Sequence, residues 1–293
     1  MRKEKRIYAL GFFDGVHIGH QALLQSCREN AQKLGCATAA ITFEAHPRSL
    51  FSDHAPLLIT SVEDRKNLLR HFGMDHIHCF PVTKEVMSTP WEAFLEQLLE
   101  QGAAGFICGD DFHFGHRGEG NAENLRLFCT QRNLPCVIIP EQTLKGRRVS
   151  STLIRSLIEE GEMETATKFL GHPHILSGIV RHGQKLGRKL GVPTANLTIP
   201  EGVCVPKFGV YVCRACIDGV SYPAVANVGI RPTVSGSGVT VEPWILDFRG
   251  DLYDKTICLE FYRFLRPEMK FESLTALQQQ IQFDAQQTRA YFQ

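Results

Sequence analysis

Two imidazoles, His17 and His20, stand three residues apart inside "YALGFFDGVHIGHQALLQSC", residues 8–27. The run before them is strand-like and the run after them is helical, so the pair falls on the first turn of a helix, where residues three apart share a face. Unpaired N–H groups and the helix dipole at such a start favour an anion. The two rings can therefore donate to phosphate oxygens, ligate a metal, or simply pack. A zinc site needs further ligands, and no obvious third one accompanies the pair. Gly19, between them, would let a nucleotide approach closely.

Three other stretches carry chemistry. "RRVSSTLIR", residues 147–155, brings Arg148, Ser151, Thr152 and Arg155 to a second helix start, with guanidiniums for bidentate phosphate contacts and hydroxyls beside free N–H groups. "GQKLGRKLGVPTAN", residues 183–196, is dense in Gly and basic residues, yet it is not a G-x-x-x-x-G-K-[ST] phosphate loop. Its glycines alone fit a barrel hairpin. Glu242 in "VTVEPWILDF" is a carboxylate that can accept a hydroxyl proton, or be an ordinary strand carboxylate. Phosphoryl and nucleotidyl transfers need positioning and charge neutralisation more than a protein nucleophile. No Ser-His-Asp or Cys-His arrangement has to be invoked.

The elements that must hold these residues divide the chain. Up to about residue 150, strand-like runs (6–10, 37–43, 77–82, 104–109, 136–140) alternate with helical ones (20–35, 62–73, 91–102, 121–133). That alternation predicts a Rossmann-like parallel sheet covered on both faces, with ligands at the carboxyl ends of its strands. "GFFDGVHIGH", "FEAHPRSL" and "GDDFHFGHRGEGN" each follow a strand, so they can share one crevice. Residues 150–171 predict one helix stopped by Gly171. Beyond it, short β-prone runs separated by Gly and Pro predict an antiparallel β-barrel, closed off by an amphipathic helix over 273–292. The expected domains are 1–170, with 150–170 a helical connection, and 171–293.

With 43% hydrophobic and 22% charged residues, the composition is that of a globular protein with a substantial core. A net charge of +1 supplies no field for nucleic acid or an anionic membrane. No apolar stretch approaches the length of a membrane span, and the amino-terminal apolar run breaks at Gly11. The expectation is a cytoplasmic monomer or weak homo-oligomer with small-molecule partners and neither nucleic acid nor membrane. Among ten cysteines only Cys213 and Cys216 form a CxxC, on a strand that turns them to opposite faces; the ten are read as reduced and mainly buried.

"GFFDGVHIGH" resembles the G-x-F-D-x-x-H-x-G-H signature of the HIGH-type nucleotidyltransferases. The resemblance implies that Gly11, Phe13, Asp14, Gly15, His17 and His20 belong to an ATP site whose histidines bind phosphates and stabilise transferring charge. Arg148, Ser151, Thr152 and Arg155 resemble that family's second phosphate motif, and Asp111 falls on a position of its nucleotide site. "GQKLGRKLGVPTAN" resembles the riboflavin kinase motif G-x-x-x-G-R-x-x-G-x-P-T-A-N. It implies an ATP-covering loop at Gly183, Gly187, Arg188 and Gly191, followed by Pro193, with Thr194 and Asn196 holding Mg2+ and phosphates. Glu242 matches that family's catalytic base.

The two signatures in this order are similar to the prokaryotic bifunctional riboflavin kinase/FMN adenylyltransferases (FAD synthetases), over nearly the whole chain. The implied activities phosphorylate riboflavin with ATP to FMN and adenylylate FMN to FAD with release of pyrophosphate. Alternatives are an enzyme keeping one activity, its other domain a scaffold, or a flavin-binding regulator. Trp244 and Asp254 stand where the kinase pattern often has His and Gly, and His113 and Asn121 where the first pattern often has Arg and Asp.

Overall fold

Near-continuous apolar runs mark strands buried on both faces. In chain order the first part forms β1 (Arg6–Leu10), α1 (Ile18–Leu34), β2 (Ala37–Phe43), α2 (Val62–His71), β3 (His76–Phe80), α3 (Lys84–Met87), α4 (Trp91–Glu100) and β4 (Ala103–Gly109). A short hairpin, β5 (His113–Phe114) and β6 (Gly120–Asn121), leads into α5 (Ala122–Gln131) and β7 (Cys136–Ile139). A second hairpin, β8 (Thr143–Leu144) and β9 (Arg147–Arg148), follows. The computed structural model describes residues 3–50, 52, 54–181, 192–233 and 236–293.

The five long strands make a parallel sheet in the order β3-β2-β1-β4-β7. The Rossmann-like expectation holds. Strand order reverses beside β1, which pairs with β2 on one side and β4 on the other. Such a reversal opens a crevice at the carboxyl ends of the strands. Tyr8, Leu10, Ile41, Phe106 and Cys108 pack one face of the sheet against Leu95 and Leu98 of α4 and Leu125 and Phe128 of α5. The chain divides into two units, Met1–Leu58 with Val62–Ser151, and Ile59–Ser61 with Thr152–Gln293.

The second unit opens with two helices, α6 (Ser151–Glu160) and α7 (Met163–Leu170), where the sequence pattern suggests one. Gly161 takes φ +82°, a left-handed conformation open to glycine, and the Gly161 and Glu162 N–H groups close back on the carbonyls of Ile158 and Leu157. The second helix ends, as expected, at Gly171 with φ +79°. The barrel is β10 (His174–Arg181), β11 (Asn196–Thr198), β12 (Gly209–Ile217), β13 (Val220–Thr233), β14 (Gly236–Ile245) and β15 (Thr256–Arg266). It closes in the order β10-β11-β14-β13-β12-β15, every neighbouring pair antiparallel. The antiparallel barrel is as expected; β11, three residues long, is the strand that alternation did not reveal.

Helix α8 (Leu274–Tyr291), capped by Ser273, lies on the outside of the barrel. Its Ala285 joins Val210, Val225 and Leu246 in one apolar cluster, with Trp244 and Leu265 packed against it. The Arg266 guanidinium locks the helix by bonding Asp284 through Nε and Nη2, at 3.1 and 2.8 Å from Oδ2. Both partners are largely buried, so each supplies the counter-charge that makes burial of the other tolerable.

His174 is 1% exposed, and neither ring nitrogen has a hydrogen-bond partner among the described residues. Burial, and secondarily the neighbouring His172, pushes its pKa down to about 3. In the unfolded chain the ring protonates below about 6.5. Between those limits the unfolded state binds the extra proton, so this contribution to stability is present above about pH 6.5 and is lost as pH falls toward 3. From pH 7.5 to 5.5 the loss is about 1.4 kcal/mol. Denaturant unfolding at both pH values, in a Trp91→Phe background where Trp244 reports on the barrel, should show that loss, and His174→Leu should remove it. An unchanged pH dependence in His174→Leu would contradict a neutral buried ring.

Candidate nucleotide sites

The first site begins with a loop that runs against ordinary backbone preference. After β1, Phe13, Gly15 and Val16 all take positive φ, at 59°, 77° and 40°. This left-handed run costs energy at the two non-glycine residues and persists only when its surroundings hold it. Asp14, 2% exposed, is attracted to Arg65 of α2, which is fully buried. Arg65 also donates to the Phe43 carbonyl and lies 4.6 Å from the Phe12 ring centroid. On the other side, Ser151 Oγ donates to the Asp14 carbonyl at 3.1 Å. The second predicted motif is thereby tied to the first.

The loop delivers His17 as the N-cap of α1. Its Nδ1 accepts the His20 backbone N–H at 3.2 Å, which leaves the neutral ring's own N–H on Nε2. A Cβ on Gly19 would sit 3.2 Å from the His17 ring, so glycine is what lets that ring fold over the helix start. The His17 and His20 rings stack with centroids 3.6 Å apart and planes 12° apart. His20 Nδ1 is buried without a hydrogen-bond partner among the described residues. Burial first, then His17 and Arg65, hold the His20 pKa well below its usual value, so its ring is neutral at physiological pH. Two neutral stacked imidazoles at a helix start can donate hydrogen bonds without repelling each other.

A cleft of about 350 Å³ opens over this turn, at the carboxyl ends of β1, β2, β4 and β7 marked by Leu10, Phe43, Gly109 and Ile139. Gly11, His17, His20, Asp111, Arg148 and Ser151 line it, so six of the residues singled out in the sequence meet in one place. Phe13, Asp14 and Gly15 form the buried turn beneath. Arg148 reaches in from the β8–β9 hairpin, with Nη2 2.7 Å from Asp111 Oδ2 and Nε bonded to Glu141. Thr152 is exposed and Arg155 half-buried on α6, three residues apart and so on one face of that helix. Arg65 and Glu141 escaped the sequence reading. The signal for Arg65 was there: a cation one turn before Leu68 and Leu69, on the face of α2 that is buried.

The second site lies on the barrel. Thr194 bridges Trp244, and the Ala195 N–H donates to the Pro243 carbonyl at 2.9 Å. With Leu197 opposite Val241, the same register puts Asn196 opposite Glu242. On the other side of β14, Glu242 pairs with Asn227. Directly opposed residues share a face, so Asn196, Glu242 and Asn227 form a polar row across three strands, on the same face as Trp244 and Val225. Their neighbours Val241, Ala226 and Val228 are fully buried in the barrel.

Pro193, Thr194 and Ala195 also border a small hollow of about 90 Å³ against Pro243 and the 248–253 loop. Asp254 just beyond it takes φ +61° and pairs with Arg181, Nη1 to Oδ1 2.6 Å. Gly183, Gly187, Arg188 and Gly191 lie outside the described residues. Thr194 and Asn196 offer neutral, hard oxygen donors, which suit Mg2+ held largely by phosphate oxygens and water. Among the described residues there is no group of three or more His, Cys, Asp or Glu side chains placed to hold a metal.

Both halves match known families. Residues 1–153 match the model of the FAD synthetase family and residues 170–292 that of the riboflavin kinase family. The bifunctional riboflavin kinase/FMN adenylyltransferase of Pseudomonas fluorescens is 37% identical, over 99% of this chain and 94% of its own. That of Listeria monocytogenes is 35% identical, over 98% and 92%, and that of Escherichia coli K12 34% identical, over 99% and 94%. A crystal structure described as a macrolide-efflux protein from Streptococcus pneumoniae superimposes with a TM-score of 0.87 at 29% identity, over 99% of this chain and 95% of that one. No helix among the described residues is long and apolar enough to cross a membrane. Matched along nearly its whole length by these relatives, the chain belongs to the bifunctional riboflavin kinase/FMN adenylyltransferase family.

Proposed function

We propose that the chain makes FMN and then FAD at two separate ATP sites, one in each half. The family carries the two activities, riboflavin kinase and FMN adenylyltransferase, with riboflavin, FMN, FAD and ATP as substrates and products. The observation that carries the division of labour is the pair of stacked imidazoles at the start of α1 in the first unit, with the Asn196–Glu242–Asn227 row on the barrel of the second.

In the adenylyl half, which we take as 1–170 with 150–170 connecting, a phosphate oxygen of FMN attacks the α-phosphorus of ATP. The bond to the bridging oxygen breaks and pyrophosphate leaves. His17, through Nε2–H, and His20 donate to the phosphate oxygens that gather charge. The helix start and Arg148 add positive potential. Arg148 exchanges Asp111 and Glu141 for phosphate as ATP enters. Ser151, Thr152 and Arg155 complete the phosphate contacts.

In the kinase half, residues 171–293, the riboflavin 5′-oxygen attacks the γ-phosphorus and ADP leaves. Glu242 accepts the hydroxyl proton. Thr194 and Asn196, with Pro193 beside them, would hold Mg2+ and phosphate oxygens, and Gly183, Gly187, Arg188 and Gly191 are assigned to the same ATP site. Mg2+, when bound there, would neutralise phosphate charge. We take the enzyme as a cytoplasmic monomer or weak homo-oligomer; its near-zero net charge supplies no field that would draw it to nucleic acid or to an anionic membrane.

Chromatography after incubation with riboflavin, ATP and Mg2+ should show FMN and then FAD; unchanged riboflavin would overturn the reading. His20→Ala should cut FAD formation by about a hundredfold or more while FMN still accumulates. Glu242→Ala should cut FMN formation by about as much while supplied FMN is still converted to FAD. Loss of both activities in either folded variant would refute two separate sites. Chelation of the metal should stop both reactions, and added Mg2+ should restore them.

A further inference from the structure

One polar pair on the barrel is not used by either reaction as described. Asn227, the cross-strand partner of Glu242, donates from Nδ2 to Glu268 Oε1 at 3.0 Å. Opposed residues on neighbouring antiparallel strands have Cβ atoms about 5 Å apart, within reach of an amide and a carboxylate. The amide of Asn227 has a second N–H, so it can be held by one carboxylate and serve the other.

Glu268 is an exposed residue on the segment after β15, yet three features bear on where its carboxylate lies. Two residues earlier, Arg266 is anchored to the buried Asp284 of α8 through two nitrogens. The carboxylate itself rests over Gly229, two residues after Asn227 on β13. A Cβ there would come within 2.3 Å of Oε1 and 2.9 Å of Cδ, so only glycine admits it. The third is the hydrogen bond to Asn227. An exposed glutamate does not ordinarily give up its rotamer freedom to a single neutral partner, since fixing it costs entropy. A carboxylate bonded to Asn227, seated over a glycine and carried by a segment tied to α8 points to a positional task.

We propose that Glu268 and Asn227 are positioning residues for the kinase reaction: Glu268 fixes the Asn227 amide, and Asn227 orients the Glu242 carboxylate toward the riboflavin 5′-hydroxyl. This rests on Glu242 being the base. Without the pair the carboxylate loses the N–H that Asn227 offers it, and the fraction aligned for proton transfer falls. The terminal helix then bears on catalysis, because its Asp284 anchors the segment that carries Glu268.

The test uses the full chain and steady-state riboflavin kinase kinetics, with denaturant unfolding of each variant followed by Trp244 in the Trp91→Phe background as the control for folding of the barrel. Glu268→Ala should lower kinase kcat by about tenfold or more, the effect of losing one oriented hydrogen bond, with KM for ATP within about twofold of the parent. Glu268→Gln keeps an acceptor for the Asn227 amide and should restore kcat to within about threefold. Gly229→Ala, which removes no polar group but displaces the Glu268 carboxylate, should behave as Glu268→Ala.

In a Glu242→Ala background, Glu268→Ala should add no further loss, because the group it positions is gone. Parental kcat in both Glu268→Ala and Gly229→Ala would overturn the proposal. So would equal impairment by Glu268→Gln and Glu268→Ala, a rise in KM with kcat unchanged, or additive losses in the double variant. Glu242→Gln separates the two levels. Parental kinase activity there defeats the base assignment itself, whereas an inactive Glu242→Gln with a parental Glu268→Ala defeats the positioning role alone.

Discussion

The buried attraction between Arg65 and Asp14 is the interaction on which the first unit depends. A guanidinium with no solvent exposure is expensive, and this one leaves Nε and Nη1 without hydrogen-bond partners among the described residues. Its compensation is the Asp14 charge, the Phe43 carbonyl and the face of Phe12. In return it holds a turn in which Phe13 and Val16 adopt left-handed backbone that side chains disfavour. Relax that turn and His17 no longer caps α1, the stack with His20 opens, and the floor of the cleft changes shape. The same cation also helps keep His20 neutral. One buried charge therefore steadies the turn that places the two rings and adds to the burial that keeps His20 neutral.

The barrel achieves its placement by other means. No strained turn carries Glu242; it sits in the middle of a long regular strand, and its neighbours on both sides are set by register. A shift of one residue would send Glu242 into the apolar interior and Val241 to the surface, so burial of Val241, Ala226 and Val228 enforces the row. The constraint is collective and apolar where the first site's is local and ionic. Trp244, unusual for its position in the motif, fits this picture: it shares the outer face with Glu242, lies opposite Thr194 and packs beside α8.

Much of the fold was legible because its signals are local. Buried parallel strands read as apolar runs, and barrel strands as short β-prone segments between Gly and Pro. The misread elements were those where a few residues overrule a pattern. Gly161 splits a helix whose hydrophobic period runs on across it, and β11 is too short for alternation to register. At the sites, the motif residues were found because their types are distinctive. The residues that support them were not, because Glu141, Asn227 and Glu268 look individually like ordinary surface polar groups in a string of letters, and Arg65 is marked only by its place on the apolar face of α2.

The sequence by itself determined which side chains are available for phosphate chemistry, that they fall into two sets, and which kind of element carries each. These follow from residue type and spacing within about twenty positions. Only the tertiary structure decided that Ser151 bonds the Asp14 carbonyl across 137 positions, that the Arg65 charge acts on His20, and that Asn196, Glu242 and Asn227 share a face. Those relations arise from strand order, register and burial. They are set by which apolar faces find each other, a long-range outcome that no local stretch of the chain encodes.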